Sequence, residues 1–156
     1  MTVNFLLCFN LNDDFQASIA SFFSNKYKNK CFLTGYTKPK ELSALKSNQF
    51  FDLCELNNLN HEKNNIENNT RNIDIWKNIN ISEFHILRDV FYSSSSRCGL
   101  HFQTFFDRED AFKKLTEKLF RVIENNQIEL LIFDLVPHLP WELLLSNIMK
   151  LKNKKT

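Results

Sequence analysis

The sequence predicts an α/β fold, a Rossmann-like and mostly parallel sheet of about four or five strands with flanking helices. Two patterns carry this prediction. In the first third of the chain, short apolar runs alternate with helical patterns, as in consecutive β-α-β units. Further on, Leu130–Val136 is apolar except at Asp134, a pattern typical of a strand buried on both faces of a parallel sheet. With 156 residues, 43% of them hydrophobic, residues 1–156 are expected to form one domain.

Val3–Phe9 predicts the first strand, and a helix follows it with Asn12 or Asp13 as its N-cap. The spacing of the apolar residues indicates one helical face. That face is predicted to hold Phe15, Ile19, Phe22 and Phe23.

The next elements complete a β-α-β-α-β opening. Lys30–Thr34 predicts a second strand that ends at Gly35. Pro39–Lys46 predicts a short helix, and Phe50–Leu56 predicts the third strand.

The middle of the chain is less regular. Asn57–Asn72 is dominated by asparagine and predicts a long flexible loop. The sequence of Ile73–Ile79 leaves its secondary structure ambiguous. Ser82–Tyr92 predicts a helix capped by Ser82, and Ser93–Arg97 predicts a polar loop.

Gly99–Phe106 is an irregular aromatic stretch, after which Asp107 is expected to open the most strongly amphipathic helix of the chain. Its predicted apolar stripe holds Ala111, Phe112, Leu115, Leu119, Phe120, Val122 and Ile123. The helix is expected to end at Asn125–Asn126, directly before the strand at Leu130–Val136.

A corner then leads into the last helix. Pro137 is expected to end strand pairing because it has no N–H to donate, and Pro140 suits the first turn of a helix. Trp141–Leu151 is apolar nearly all round. We therefore expect this helix either to lie deep against the sheet or to be covered by another domain.

Composition excludes several classes. A net charge of +2 is too small to indicate nucleic-acid binding, and no apolar run is long enough to span a bilayer. Four cysteines without zinc-finger spacing indicate free thiols in a reducing compartment and no metal site. Two glycines cannot line a pyrophosphate cradle, so no cofactor is predicted. The expected location is cytoplasmic, with membrane association left open.

His138 is the leading candidate for catalysis. It follows the predicted strand and precedes a helix, at the sheet edge where open α/β sheets bind ligands. An imidazole there can act as a general base or contact phosphate. It can equally cap the helix or bond a backbone carbonyl. Asp134 is left without an assigned role, and Glu142 is interpreted as a surface acid that favours the helix dipole.

Two further groups are candidate substrate-binding residues. His85, Arg88 and Asp89 share one helical face and could hold a phosphate, although a solvated salt-bridge face explains the same spacing. Asn10 and Asp13 follow the first strand, at the same sheet edge as His138, and a helix cap explains them equally well.

Two short motifs resemble a known family. Arg88–Asp89 within HILRDVF and Pro137–His138 within IFDLVPHLPWELLL resemble the N-terminal half of bacterial capsule and surface-polysaccharide biosynthesis proteins, which are two-lobed GT-B-type glycosyltransferase-like enzymes. The chain departs from that pattern after the Pro-His pair, where Trp141–Glu142 replaces the usual aspartate or tyrosine.

The resemblance implies an acceptor-side lobe that binds a sugar nucleotide or a glycan. It also implies a second lobe or partner protein, without which the chain would be inactive. The alternative is a non-catalytic module that docks a partner chain through the apolar helix at Trp141–Leu151.

Overall fold

The computed structural model describes residues 3–9, 14–35, 42, 46, 49–53 and 75–154. The predicted loop at Asn57–Asn72 and most of the predicted helix at Pro39–Lys46 lie outside them. No helix in the described ranges is long and apolar enough to cross a membrane.

The fold is α/β, as predicted, with a parallel sheet of four strands among the described residues. The strands are β1 (Asn4–Cys8), β2 (Cys31–Gly35), β3 (Phe50–Asp52) and β4 (Ile128–Phe133). Their order across the sheet is β3-β2-β1-β4. All three pairings are parallel, which agrees with a Rossmann-like fold.

The helices are α1 (Asp14–Tyr27), α2 (Ile81–Arg97), α3 (Phe105–Asn125) and α4 (Pro140–Leu151). A 3₁₀ turn spans Ile75–Asn78, within the stretch that the sequence left ambiguous. Leu6 and Cys8 of β1 point into the larger of two apolar cores, which α2, α3 and α4 cover. Phe5 and Leu7 point into the smaller core, which α1 covers.

The predicted apolar face of α1 is confirmed for Ile19 and Phe23, which pack against the smaller core, and is wrong for Phe15 and Phe22. Phe15 is 74% exposed and Phe22 is 59% exposed, whereas Ala20 and Ser24 are buried. Ala20 belongs to the smaller core, and the Ser24 hydroxyl donates to the Ser21 carbonyl oxygen of the same helix. Phe23 packs edge-on against Phe5 of β1 with ring centroids 5.8 Å apart.

Two predicted helix starts are also wrong. Asn80, not Ser82, caps α2 through a reciprocal capping box with Glu83. Thr104 caps α3, and Asp107 is the third residue of that helix, whose carboxylate accepts a hydrogen bond from the Thr104 N–H. In both cases the true cap lies two or three residues upstream, where a polar side chain can reach the third N–H of the helix.

The predicted loop at Ser93–Arg97 is the last part of α2. Ser94 and Ser95 are buried, and their hydroxyls donate to backbone carbonyls one turn back. Arg108 of α3 donates to the Ser95 and Ser96 hydroxyls. These tertiary contacts satisfy the polar groups that otherwise favour a loop.

β4 ends at Phe133, earlier than predicted, and lies at the edge of the sheet. Only Ile128 and Leu131 are buried, so the expectation of a strand buried on both faces is wrong for most of its residues. The third strand is shorter than predicted as well, ending at Asp52.

The last helix lies deep in the molecule. Eight of the 12 residues of α4 are buried, and its apolar side chains join the larger core together with α2 and α3. Of the two expectations for this helix, burial within the chain is the one observed. The alternative function in which α4 docks a partner therefore lacks the exposed apolar face on which it depended.

Candidate functional site

The strand order locates the candidate site between β1 and β4, at a place called the β1–β4 crevice below. The chain proceeds from β1 to β2 and β3 on one side, and β4 then pairs with the other side of β1. Open α/β sheets bind ligands at the carboxyl ends of the strands where the order reverses in this way. At that edge Cys8 is paired with Phe133, the last residue of β4. The candidate site therefore lies at the carboxyl ends of β1 and β4.

Asp134 and Gln16 join the two sides of this crevice. Asp134 directly follows β4, and Gln16 lies in the first turn of α1. The Gln16 side-chain amide donates a short hydrogen bond to Asp134 Oδ2, and both residues are half-buried. Asp134 thus has a polar partner, which a carboxylate at this depth requires. Sequence reasoning missed Gln16, because its partner is 118 residues away.

Glu142 fixes the corner between β4 and α4. Its Oε2 accepts hydrogen bonds from the backbone N–H of His138 at 2.8 Å and of Leu139 at 2.9 Å. The residue is only 3% exposed, so its interpretation as a surface acid is wrong. The signal that could have found it is the position of Glu142 as the third residue of the helix, from which a carboxylate reaches back to the N-cap.

The two carboxylates converge on the end of β1. The pKa of the Cys8 thiol is well above its ordinary value, first because the thiol is buried and then because the charges of Glu142 and Asp134 oppose ionisation. Cys8 is therefore an inert core thiol.

His138 is held by its backbone and exposed at its ring. Its side chain is 58% exposed. Nδ1 lies 3.1 Å from the Val136 carbonyl oxygen and 3.5 Å from Glu142 Oε2. The bond to a backbone carbonyl is the structural alternative that the sequence left open. Among the described residues Nε2 makes no hydrogen bond.

The second predicted group stays apart from this site. His85 and Asp89 are exposed on α2, and Arg88 is half-buried between two aromatic rings. Its guanidinium carbon lies 5.9 Å from the centroid of Phe84 and 6.0 Å from that of Tyr92, as in cation–π contacts. This packing accounts for Arg88 without a phosphate.

The end of α2, not its middle, approaches His138. Cys98, the residue after α2, donates a weak hydrogen bond to the His138 carbonyl oxygen with a sulfur–oxygen distance of 3.9 Å. Arg88 lies ten residues earlier, about 15 Å along the helix axis. No hydrogen bond or ion pair between described residues links the His85, Arg88 and Asp89 group to His138.

The remaining predicted site residues, Asn10 and Asp13, lie outside the described residues. Within the described ranges, no group of three or more histidine, cysteine, aspartate or glutamate side chains could hold a metal ion. No protein-family model matches the chain, and neither the curated proteins nor the solved structures include a significant match.

Proposed function

We propose that this chain is a ligand-binding Rossmann-like lobe that serves as the acceptor-side half of a surface-polysaccharide glycosyltransferase. The observation that carries the proposal is the meeting of the two connecting segments at the β1–β4 crevice, through Gln16 and Asp134. A strand-order reversal lined by a few convergent polar groups is the usual setting of a small-molecule site in this class of fold.

The polar groups at the crevice suit hydroxyl-bearing ligands. A carboxylate accepts hydrogen bonds from hydroxyls, and a side-chain amide both donates and accepts. Asp134 Oδ1 accepts no hydrogen bond from the described residues, and in this proposal it accepts one from a ligand hydroxyl. An acceptor sugar that presents hydroxyls to Gln16 and Asp134 would therefore find both kinds of partner.

His138 is the proposed general base. An acceptor hydroxyl would give its proton to Nε2 while its oxygen attacks the anomeric carbon of a sugar nucleotide, and the nucleoside diphosphate would leave with the electrons of the broken glycosidic bond. Glu142, 3.5 Å from Nδ1, would stabilise the resulting imidazolium. The donor would be held by a second lobe or a partner protein. Arg88 and Asp89 have no part in this step.

The alternative, a non-catalytic assembly module, needs a different docking surface from the buried α4. The exposed Phe15 and Phe22 of α1 offer apolar area for it.

The test is an amide NMR titration of the intact chain with neutral methyl glycosides and, separately, with sugar nucleotides. Binding of a glycoside should shift the amide signals of Gln16, Asp134 and His138, and Asp134→Ala should abolish these shifts. Asp89→Asn, on the exposed face of α2, is the matched control and should leave them unchanged. Failure of every glycoside and nucleotide to bind would refute the proposal and favour the assembly module.

A further inference from the structure

We infer that the outer ridge of α1, formed by Phe15, Phe22 and Lys26, anchors the chain to an anionic lipid surface. The sequence left membrane association open, and this ridge supplies a surface for it. The inference is independent of the proposed function, because no residue proposed to bind a sugar belongs to the ridge.

The ridge faces away from the sheet. Phe15 is 74% exposed and Phe22 is 59% exposed, whereas Ala20 is fully buried in the smaller core. Seven positions make nearly two helical turns, so the two rings lie on one face, about 10 Å apart along the helix axis. Lys26 follows one turn later on the same face and is exposed. The ridge therefore presents two aromatic rings and then an ammonium group to its surroundings.

The carboxyl-terminal end of α1 is basic. The Lys26 Nζ lies 5.4 Å from the ring centroid of Phe22 and 5.5 Å from that of Tyr27, which is itself 38% exposed. Lys28 and Lys30 follow in a 3₁₀ turn. Among the described residues, none of these three lysines forms an ion pair. Unpaired cations thus adjoin the exposed aromatic surface.

Acidic residues are scarce along this surface. From residue 14 to residue 30 the sequence contains a single acid, Asp14, which lies at the opposite end of α1 from the lysines. The aromatic rings and the lysines are therefore not offset by neighbouring carboxylates in the sequence of the helix.

A second exposed aromatic pair provides a comparison within the same chain. Phe105 is 62% exposed and Phe106 is 81% exposed at the start of α3. Asp107, Glu109 and Asp110 follow directly, so this pair has acidic neighbours. Anionic headgroups are repelled by acidic residues and attracted by lysines. Charge therefore distinguishes the α1 ridge from the aromatic pair of α3 as a lipid-binding surface.

The area of the ridge favours a lipid surface over a second copy of the chain. Phe15 and Phe22 together expose roughly 250 Å², taking about 200 Å² for each aromatic side chain. A stable protein–protein interface buries about 800 Å² on each partner. A peripheral membrane anchor needs less apolar area, because shallow insertion of apolar side chains acts together with the attraction of lysines to anionic lipids.

The test is co-sedimentation of the intact chain with lipid vesicles. One set contains equal parts of phosphatidylcholine and phosphatidylserine, and the other contains phosphatidylcholine alone. The chain should sediment with the anionic vesicles and much less with the neutral ones. Added salt should weaken the binding to anionic vesicles, because it screens the lysines.

Variants of α1 assign the binding to particular side chains. Lys26→Gln should weaken the partition into anionic vesicles about fivefold, and Lys26→Gln combined with Lys28→Gln about 25-fold. Lys113→Gln makes the same change in net charge as Lys26→Gln, but at a lysine within 3.8 Å of Glu109, and should have little effect.

The aromatic rings are tested in the same way. Phe15→Ser combined with Phe22→Ser should weaken the partition at least tenfold, because both rings lose their insertion into the lipid interface. Phe106→Ser, at the exposed aromatic pair of α3, is the matched control and should leave it unchanged. Far-ultraviolet circular dichroism checks that each variant keeps its helix content, as substitutions at exposed sites should.

Several outcomes would overturn the inference. Failure of the native chain to sediment with anionic vesicles would do so, as would equal partition into both kinds of vesicle. So would a loss in Phe106→Ser as large as the loss in the Phe15 and Phe22 variant. Self-association, or binding to a single-stranded oligonucleotide, that the α1 substitutions remove while vesicles stay unbound would assign the ridge to that partner and not to lipid.

Discussion

Replacing Glu142 with alanine should lower the free energy of unfolding by about 3 kcal/mol. The carboxylate accepts two backbone hydrogen bonds, at 2.8 and 2.9 Å, and is buried. A hydrogen bond to a charged group contributes about 1.5–3 kcal/mol, and water can replace part of the loss at the exposed His138. For a chain of this length, about 3 kcal/mol corresponds to a fall in Tm of roughly 6–12 °C.

Glu83 is the matched control for this substitution. It is also the third residue of its helix and accepts from the N–H of the N-cap Asn80, but at an exposed site. Glu83→Ala should therefore cost only about 1 kcal/mol. Urea denaturation of both variants, followed by far-ultraviolet circular dichroism, measures the two costs. Equal costs for the two variants would refute the argument that burial of Glu142 anchors the corner.

Three further predictions concern the core and the thiols. Phe112→Ala should lower the free energy of unfolding by about 3–5 kcal/mol because Phe112 is fully buried. Phe106→Ala, at an exposed site, should change it by less than about 0.5 kcal/mol. Urea denaturation measures both values, and equal values would contradict the assignment of the core. Cys98 is exposed, whereas Cys8 and Cys31 are buried. Among these three cysteines, a thiol reagent should therefore label only Cys98 in the native chain. If mass spectrometry found Cys8 or Cys31 labelled first, that result would contradict the fold. Burial raises the pKa of Cys31 from 9.0 to about 12, so between these values the unfolded chain loses the proton first and stability should fall as the pH rises. Cys31→Ala should lessen that fall in the denaturation midpoint, and an unchanged slope would contradict it.

Elements with a strong local pattern were predicted well from the sequence. The stripe of α3 is buried as expected at nearly every position, because a long amphipathic helix with one apolar face has only one way to pack. β1 and β2 lie within one or two residues of their predicted bounds. Alternation of these elements was sufficient for the fold class, and the β3-β2-β1-β4 order agrees with it.

The errors come from tertiary contacts that a local pattern cannot contain. In α1, hydrophobicity indicated Phe15 and Phe22 as core residues, but both are exposed. Ala20 is buried in the smaller core, with Ile19 and Phe23 packed against it. An apolar stripe predicts a helix more reliably than it predicts which of two neighbouring faces is buried. In α2, the polar Ser94 is buried because its hydroxyl bonds to the helix backbone, and no composition rule anticipates that.

In the candidate site, too, local sequence predicted some features, and tertiary contacts determine the others. The strand–corner–helix pattern located the corner correctly, since two prolines bound it and His138 lies between them. The Gln16–Asp134 bond across the crevice could not be predicted without the pairing of β1 with β4. Local sequence thus indicated where one wall of the site lies, and only the fold brings the other wall to it.

The corner also explains why Glu142 is buried while the ring of His138 is exposed. Pro137 and Pro140 donate no N–H, so the N–H groups of His138 and Leu139 are the free donors of this turn and need an acceptor. Glu142 can reach both from the third position of the helix, and it is buried as a consequence. His138 is then fixed by its backbone, and its ring needs no further partner for folding. A side chain that is positioned but not consumed by the fold is suited to binding, and for this reason His138 remains the catalytic candidate despite its exposure.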